Sequence, residues 1–210
     1  MEAKIFAVYK PKGPTSNDIL NKLRRFYGTR KVGHAGTLDP LAKGILVVAV
    51  GREATKKLGE LVKKEKEYLA TIRLGIESAT DDAEGTKTKF DVRKKPTKEE
   101  IKIALKKFEG KISQIPPIFS AVKIQGKEAY KYARKGQEVT LKPRKVEIKK
   151  IKILKYYWPY LKLKVVTGPG VYIRSLARDL GKKLKIGGYL FNLERTRVGD
   201  FTKAKSKRLP

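Results

Sequence analysis

The chain has 210 residues, 40% of them apolar, and 51 Lys and Arg against 21 Asp and Glu, a formal net charge of +30. That length and apolar content suit a globular core and exclude a disordered chain, while a charge of this size repels itself until a polyanion neutralises part of it. No apolar run approaches the roughly 20 residues of a membrane-crossing helix, and with no Cys and a single His there are no disulfides or thiolate metal sites.

Nucleic acid is therefore the first partner expected. The many lysines also resemble a thermophile's surface, but such surfaces balance Lys with Glu, and here 51 Lys and Arg face only 21 Asp and Glu. A membrane surface is the lesser alternative. The N-terminus "MEAKIFAVYK" carries no signal-peptide apolar region, so a cytoplasmic protein is expected.

In chain order, "KIFAVYKPKGPTSNDILNKLRRFYG" predicts a short strand, a Pro/Gly turn and a helix capped by Thr15 or Ser16, with Ile19, Leu20, Leu23 and Phe26 on one face and Gly28 at its end. The continuous branched run "GILVVAVG" predicts a buried strand, and "REATKKLGELVKK" has helical spacing. "EKEYLATIRLG" alternates Tyr68, Ala70, Ile72 and Leu74, the period of a half-buried strand. After a polar loop, "TKEEIKIALKKFEG" begins with a capping box of Thr97 and Glu100.

The Pro-, Tyr- and Lys-rich stretch that follows reads as an excursion from the core. Two long strands, "RKVEIKKIKILKYY" and "YLKLKVVTG", are expected to pair antiparallel around a turn near Pro159. "YIRSLARDLGKKL" is an amphipathic helix, "YLFNLERTRVGDF" a final strand, and "TKAKSKRLP" a basic tail. Helices interspersed with mainly antiparallel strands predict an α+β fold on one sheet, in a single domain spanning 1–210.

Chemistry in this chain must use carboxylate, hydroxyl, amine or guanidinium groups. Asp39 in "LDP" is a candidate, although an Asp before Pro also serves simply to close a turn. Four stretches carry unusual residues together: "YKPKGPTS", "GHAGTLDPLAKGIL", "KEYLATIRLG" and "GPGVYIRSLARDLG". In order and wording they resemble the TruB family of tRNA pseudouridine-55 synthases, whose signature is G-H-x-G-x-L-D-P-x-A-x-G-x-L. "QIPPIFSAVKIQGKEAYKYARKG" is similar to that family's RNA-gripping insertion.

The resemblance implies a pseudouridine synthase fold, with a mixed, mainly antiparallel sheet flanked by helices. It implies an isomerase that breaks the N1–C1′ bond of uridine 55 in the tRNA T loop and rejoins C5 to C1′, without metal or other cofactor. Asp39 matches the catalytic aspartate, Arg174 the arginine that pairs with it, and Tyr68 the tyrosine that stacks on the target base. His34, Tyr172 and Leu193 match residues around the extruded uridine. Lys12, with Pro11, corresponds to a lysine–proline pair supporting the Asp loop, and Asp82 in "TDDAEG" resembles a loop near the RNA. Where the family usually has Gly-Thr-Tyr, this chain has Gly170, Val171 and Tyr172.

A uridine stacked in a folded loop must be extruded, at a cost of a few kcal/mol, and phosphate contacts offset that cost. The insertion at 114–142, with Lys123, Lys127, Lys131 and Arg134, is the expected clamp. The expected partner is the T stem-loop of tRNA, met by a monomer without a guide RNA and without a separate PUA domain. Two alternatives stay open: a non-catalytic tRNA-binding and folding module, and a guide-RNA-dependent relative.

Overall fold

The structure is a computed structural model and describes residues 3–209. In chain order the elements are β1 (Lys4–Lys10), α1 (Ser16–Phe26), β2 (Val32–His34), β3 (Ala42–Val50), α2 (Arg52–Lys56), α3 (Leu58–Val62), β4 (Lys66–Leu74), β5 (Ile76–Ser78) and β6 (Lys87–Lys89). They continue with α4 (Lys98–Lys106), β7 (Gly110–Gln114), β8 (Lys123–Ile124), β9 (Lys127–Glu128), α5 (Ala129–Ala133), β10 (Arg144–Tyr157), β11 (Tyr160–Thr167), α6 (Ile173–Lys183), β12 (Gly188–Val198), β13 (Phe201–Thr202) and β14 (Ser206–Lys207).

Ten strands form a mixed sheet in the order β14-β1-β3-β12-β4-β11-β10-β7, with β2 beside β3 and β13 beside β12. β1 and β3 pair antiparallel, whereas β3 and β12 pair parallel. With its flanking helices this is the expected α+β class. The chain divides into two compact units, one of residues 1–69, 166–169 and 193–210, the other of residues 70–165 and 170–192.

In the first unit the unbroken apolar run of β3 has a direct cause: both of its faces are covered. Leu46, Val48 and Val50 join Phe6, Val8 and the α1 residues Ile19, Leu20 and Leu23 in one cluster. Ile45 and Val47 face the other way, with Ala7, Val198 and, from α3, Leu58 and Leu61. The cap of α1 is Thr15, whose side chain accepts from the Asp18 amide while the Asp18 carboxylate accepts from the Thr15 amide, so two otherwise unpaired donors of the first turn are satisfied reciprocally.

Three local expectations are corrected. Phe26, placed on the apolar face by spacing, is largely exposed, because α1 ends there and the chain turns through Tyr27 and Gly28. The "REATKKLGELVKK" helix is two single turns, α2 and α3, broken at Lys57. The basic tail is not free: β14 pairs parallel with β1, and Leu209 packs on the α1 cluster.

In the second unit β4 alternates as expected, with Ala70, Ile72 and Leu74 fully or almost fully buried, and β11 does the same through Leu161, Leu163 and Val165. α4 is capped by Thr97 and Glu100 and packs on β10 and α6. β10 and β11 are sheet neighbours joined through Trp158 and Pro159. The polar loop contains a small β5–β6 hairpin, and the insertion holds β8, β9 and α5 around a minor core of Val122, Ala129 and Leu141. Among the described residues no helix is long and apolar enough to cross a membrane.

Candidate active site

The loop carrying Asp39 runs from β2 to β3 and is held by its backbone from two directions. From β1 and α1, the Ser16 hydroxyl both accepts from the Leu38 amide and donates to the Leu38 carbonyl, each at 2.9 Å, and the Gly13 amide donates to the Pro40 carbonyl. From β12, the fully buried Arg195 donates through Nε to the Ile45 carbonyl (2.7 Å) and through Nη2 to the Gly36 carbonyl (2.9 Å), with a longer bond to Thr37. The same guanidinium lies within electrostatic reach of the Tyr68 side chain and of the Asp39 carboxylate.

One cation thus ties together the loop, the tyrosine and the acid. Burial works against its charge, while Tyr68 and Asp39 favour it.

This arrangement explains two glycines of the motif. Gly44 sits opposite Arg195 in the parallel β3–β12 register, and a Cβ there would lie 2.2 Å from the Arg195 carbonyl oxygen. Only glycine lets the arginine's strand approach. Gly36 adopts φ +103°, a left-handed value that other residues resist, and this turns its carbonyl onto the guanidinium.

Two further buried cations surround the loop. Lys10 is inaccessible to solvent and donates to the carbonyls of Pro11 and Pro14; burial lowers its pKa to about 8, partly opposed by the Asp39 carboxylate. Lys66 donates to the carbonyls of Val62 and Lys64 and is lowered to about 8 by burial and then by Arg195.

His34 is held below the ordinary imidazole range, first by burial and then by the Arg195 charge, so its ring is neutral at pH 7. Its Nδ1 is buried with no hydrogen-bond partner among the described residues. Leu193 is buried opposite Ala42, three residues beyond Asp39.

The first unit therefore gathers His34, Asp39, Tyr68 and Leu193. Lys12, expected to support the loop, is exposed; Gly13 and Ser16 hold the loop directly, and Lys10 holds the Pro11–Pro14 turn that precedes α1.

The second unit gathers Asp82, Tyr172 and Arg174. The Asp82 carboxylate accepts from the Thr80 hydroxyl and the Glu84 amide and lies 3.8 Å from the Arg174 guanidinium. Arg174 also donates to the Phe119 carbonyl.

α6 fastens the root of the insertion at several further points. Ser175 and Arg178 both donate to the Ile115 carbonyl, and Arg178 pairs with Asp81 and Asp179 at 2.9 Å each. Gln114 brackets the Tyr172 backbone, accepting from its amide and donating to its carbonyl.

Beyond that root the insertion is open. Lys127, Tyr130, Lys131, Tyr132, Arg134 and Lys135 line most of a cavity of about 500 Å³. Lys123, Lys127, Lys131 and Arg134 are all exposed, Lys131 pairs with Glu128, and Arg134 lies over the Tyr130 ring. Among the described residues no three His, Cys, Asp or Glu side chains form a metal-binding group.

Residues 24–173 match the family described as "TruB family pseudouridylate synthase (N terminal domain)". The chain belongs to the TruB family. Its similarity to other TruB proteins extends beyond that segment. A Parabacteroides distasonis protein named tRNA pseudouridine synthase B is 45% identical over 199 residues, covering 92% of this chain and 84% of its own length. A Mycobacterium protein of the same name is 47% identical over 201 residues, covering 94% of this chain and 67% of its own.

Among solved structures, a chain of a Cbf5–Nop10–Gar1 complex superposes with a TM-score of 0.75 at 29% identity over 98% of this chain, which spans about half (52%) of that one. A pseudouridylate synthase at 18% identity, with a TM-score of 0.53, shares the fold.

Arg195, Lys10 and Lys66 do not stand out in the sequence. In a chain with 51 cations, a buried one carries no compositional mark. The available signal for Arg195 is its place two residues after Leu193, on the same face of a strand.

Proposed function

We propose that this protein is a tRNA pseudouridine synthase that isomerises uridine 55 of the T loop, with Asp39 as the catalytic group. The observation carrying this reading is the Arg195 junction, where one buried guanidinium grips the Asp39 loop and acts electrostatically on both Tyr68 and the Asp39 carboxylate. A carboxylate fixed in this way needs no reorganisation when charge develops on the sugar, the condition under which electrostatic catalysis is strongest.

In the proposed reaction the uracil leaves C1′ of the ribose, turns, and reattaches through C5; the C5 proton is released and N1 ends protonated. Attack of the carboxylate on C1′ and its removal of the C2′ proton both require ionised Asp39. Arg174 is the cation proposed to favour that form, since an opposite charge nearby stabilises a carboxylate. Tyr68 stacks on the base and helps move the C5 proton.

His34, neutral and with its Nδ1 free of partners among the described residues, positions the nucleotide, and Leu193 and Tyr172 bound the base. Asp82 holds its loop toward the RNA. Lys12 and the insertion's Lys123, Lys127, Lys131 and Arg134 bind phosphates. The same reading has a cytoplasmic monomer acting without a guide RNA.

The test is release of label from [5-³H]uridine in a T-arm RNA, with pseudouridine mapping of a tRNA transcript incubated with this protein alone. Asp39→Asn is expected to abolish release while leaving RNA binding within about twofold. Equal release by wild type and variant would overturn the assignment of Asp39. Modification that needs an added guide RNA would favour the guide-dependent reading instead.

A further inference from the structure

The second unit's sheet is buried on one face and open on the other. Ile72 and Leu74 of β4, and Leu161 and Leu163 of β11, point into the core; strand alternation sends Arg73, Tyr160 and Lys162 to the opposite side. Aromatic rings meet on that open side. Tyr157 of β10 and Tyr160 of β11 have centroids 5.7 Å apart, and Tyr160 and Phe191 of β12 are 5.1 Å apart.

Tyr157 is 53% exposed and Phe191 40% exposed, unusual for large rings on a strand. Arg73 lies over the Tyr160 ring at 5.9 Å and Lys155 over the Tyr157 ring at 5.3 Å. β12, β4, β11 and β10 are consecutive in the sheet, and the ring and cation contacts join Phe191, Arg73, Tyr160 and Tyr157, one residue from each strand, into one patch.

The chemistry of the patch selects its partner. Residues 148–178 contain eight Lys or Arg and no Asp or Glu. Among the described residues Arg73, Lys155 and Lys162 have no carboxylate partner, and the Arg73 Nε has no hydrogen-bond acceptor. Aromatic rings interleaved with uncompensated cations suit an anionic chain with exposed flat bases, because rings stack on bases while cations track the phosphates.

We propose that this face is a second RNA-binding surface, on which two or three unpaired nucleotides stack along Tyr157, Tyr160 and Phe191. It extends the protein's hold on RNA beyond the isomerisation proposed above and does not depend on that reaction.

The test uses a hexaribonucleotide of uridines carrying one 5-bromouridine. Ultraviolet cross-linking followed by peptide mapping is expected to place adducts on Tyr157, Tyr160 or Phe191. The double variant Tyr157→Leu, Phe191→Leu keeps apolar cover on the strands but removes stacking; it should keep the wild-type melting temperature and bind the oligomer at least about tenfold more weakly. If that variant unfolds, Lys155→Gln alone is expected to reduce the slope of log affinity against log salt by about one.

Adducts confined to residues 114–142, or affinities and slopes unchanged in these variants, would overturn the proposal. So would a wild-type dimer, seen by sedimentation, that the double variant abolishes without loss of oligomer binding, since the face would then be a contact between copies. No turnover is measured, so failure here is distinct from failure of the catalytic reading.

Discussion

The Asp39 loop and the insertion after Gln114 both carry proposed functional residues, yet they are built on opposite terms. The loop is short and gripped by Ser16, Gly13 and Arg195, so its conformation is fixed by buried hydrogen bonds. The insertion is fastened at its root by Gln114, Ser175 and Arg178, while its exposed cations face solvent over a small core of its own. A group that acts on a covalent bond must be placed within a fraction of an ångström, whereas groups that neutralise phosphates act through a field that tolerates displacement.

The largest expected effect breaks the rigid region. Arg195→Ala removes the donor for three carbonyls and leaves a cavity, and should cost about 3–5 kcal/mol of stability in chemical unfolding, along with the uridine-isomerising activity. Arg195→Lys should recover only part, because an ammonium cannot match the guanidinium fork.

A smaller effect comes from pH. Lys10 is lowered to about 8 in the folded protein from an ordinary 10.5, so between these values the unfolded chain binds more protons and stability rises with pH. Below about pH 8 the buried charge opposes folding in full. Unfolding midpoints compared from about pH 7 to pH 10.5 should show a rise in wild type that is smaller in Lys10→Met.

The attachment of the insertion gives the next effect. Arg178→Ala should cost about 1 kcal/mol, since its ion pairs are partly exposed, but should speed amide hydrogen exchange around residues 114–120 while the first unit's exchange stays unchanged. Smallest in stability is the triple variant Lys127→Gln, Lys131→Gln, Arg134→Gln, expected to leave the unfolding midpoint unchanged because all three side chains are exposed. Its effect should appear in RNA binding, as a salt slope lower by about one for each phosphate that the variant leaves unneutralised.

The two regions also differ in how far the sequence discloses them. Strand alternation in β4, the apolar run of β3 and the Thr97–Glu100 cap are legible because each is a local pattern with a local cause. Asp39, Tyr68 and Arg174 are legible through motif wording, and the basic content of the insertion through composition. Phe26 is misplaced by its spacing because a helical period does not say where the core ends. The tail is misread because two residues of parallel pairing with β1 leave no periodicity to detect.

By itself the sequence determined an α+β chain of high positive charge with one acid in a glycine-rich turn and a basic insertion. Tertiary structure alone decided which of the 51 cations are buried. Burial depends on what distant segments bring together: Gly44 admits the strand of Arg195 across a separation of about 150 residues. Nothing in the neighbourhood of Arg195 along the chain encodes the three carbonyls that it must satisfy, and only their convergence in the folded unit turns an ordinary strand arginine into the support of the Asp39 loop.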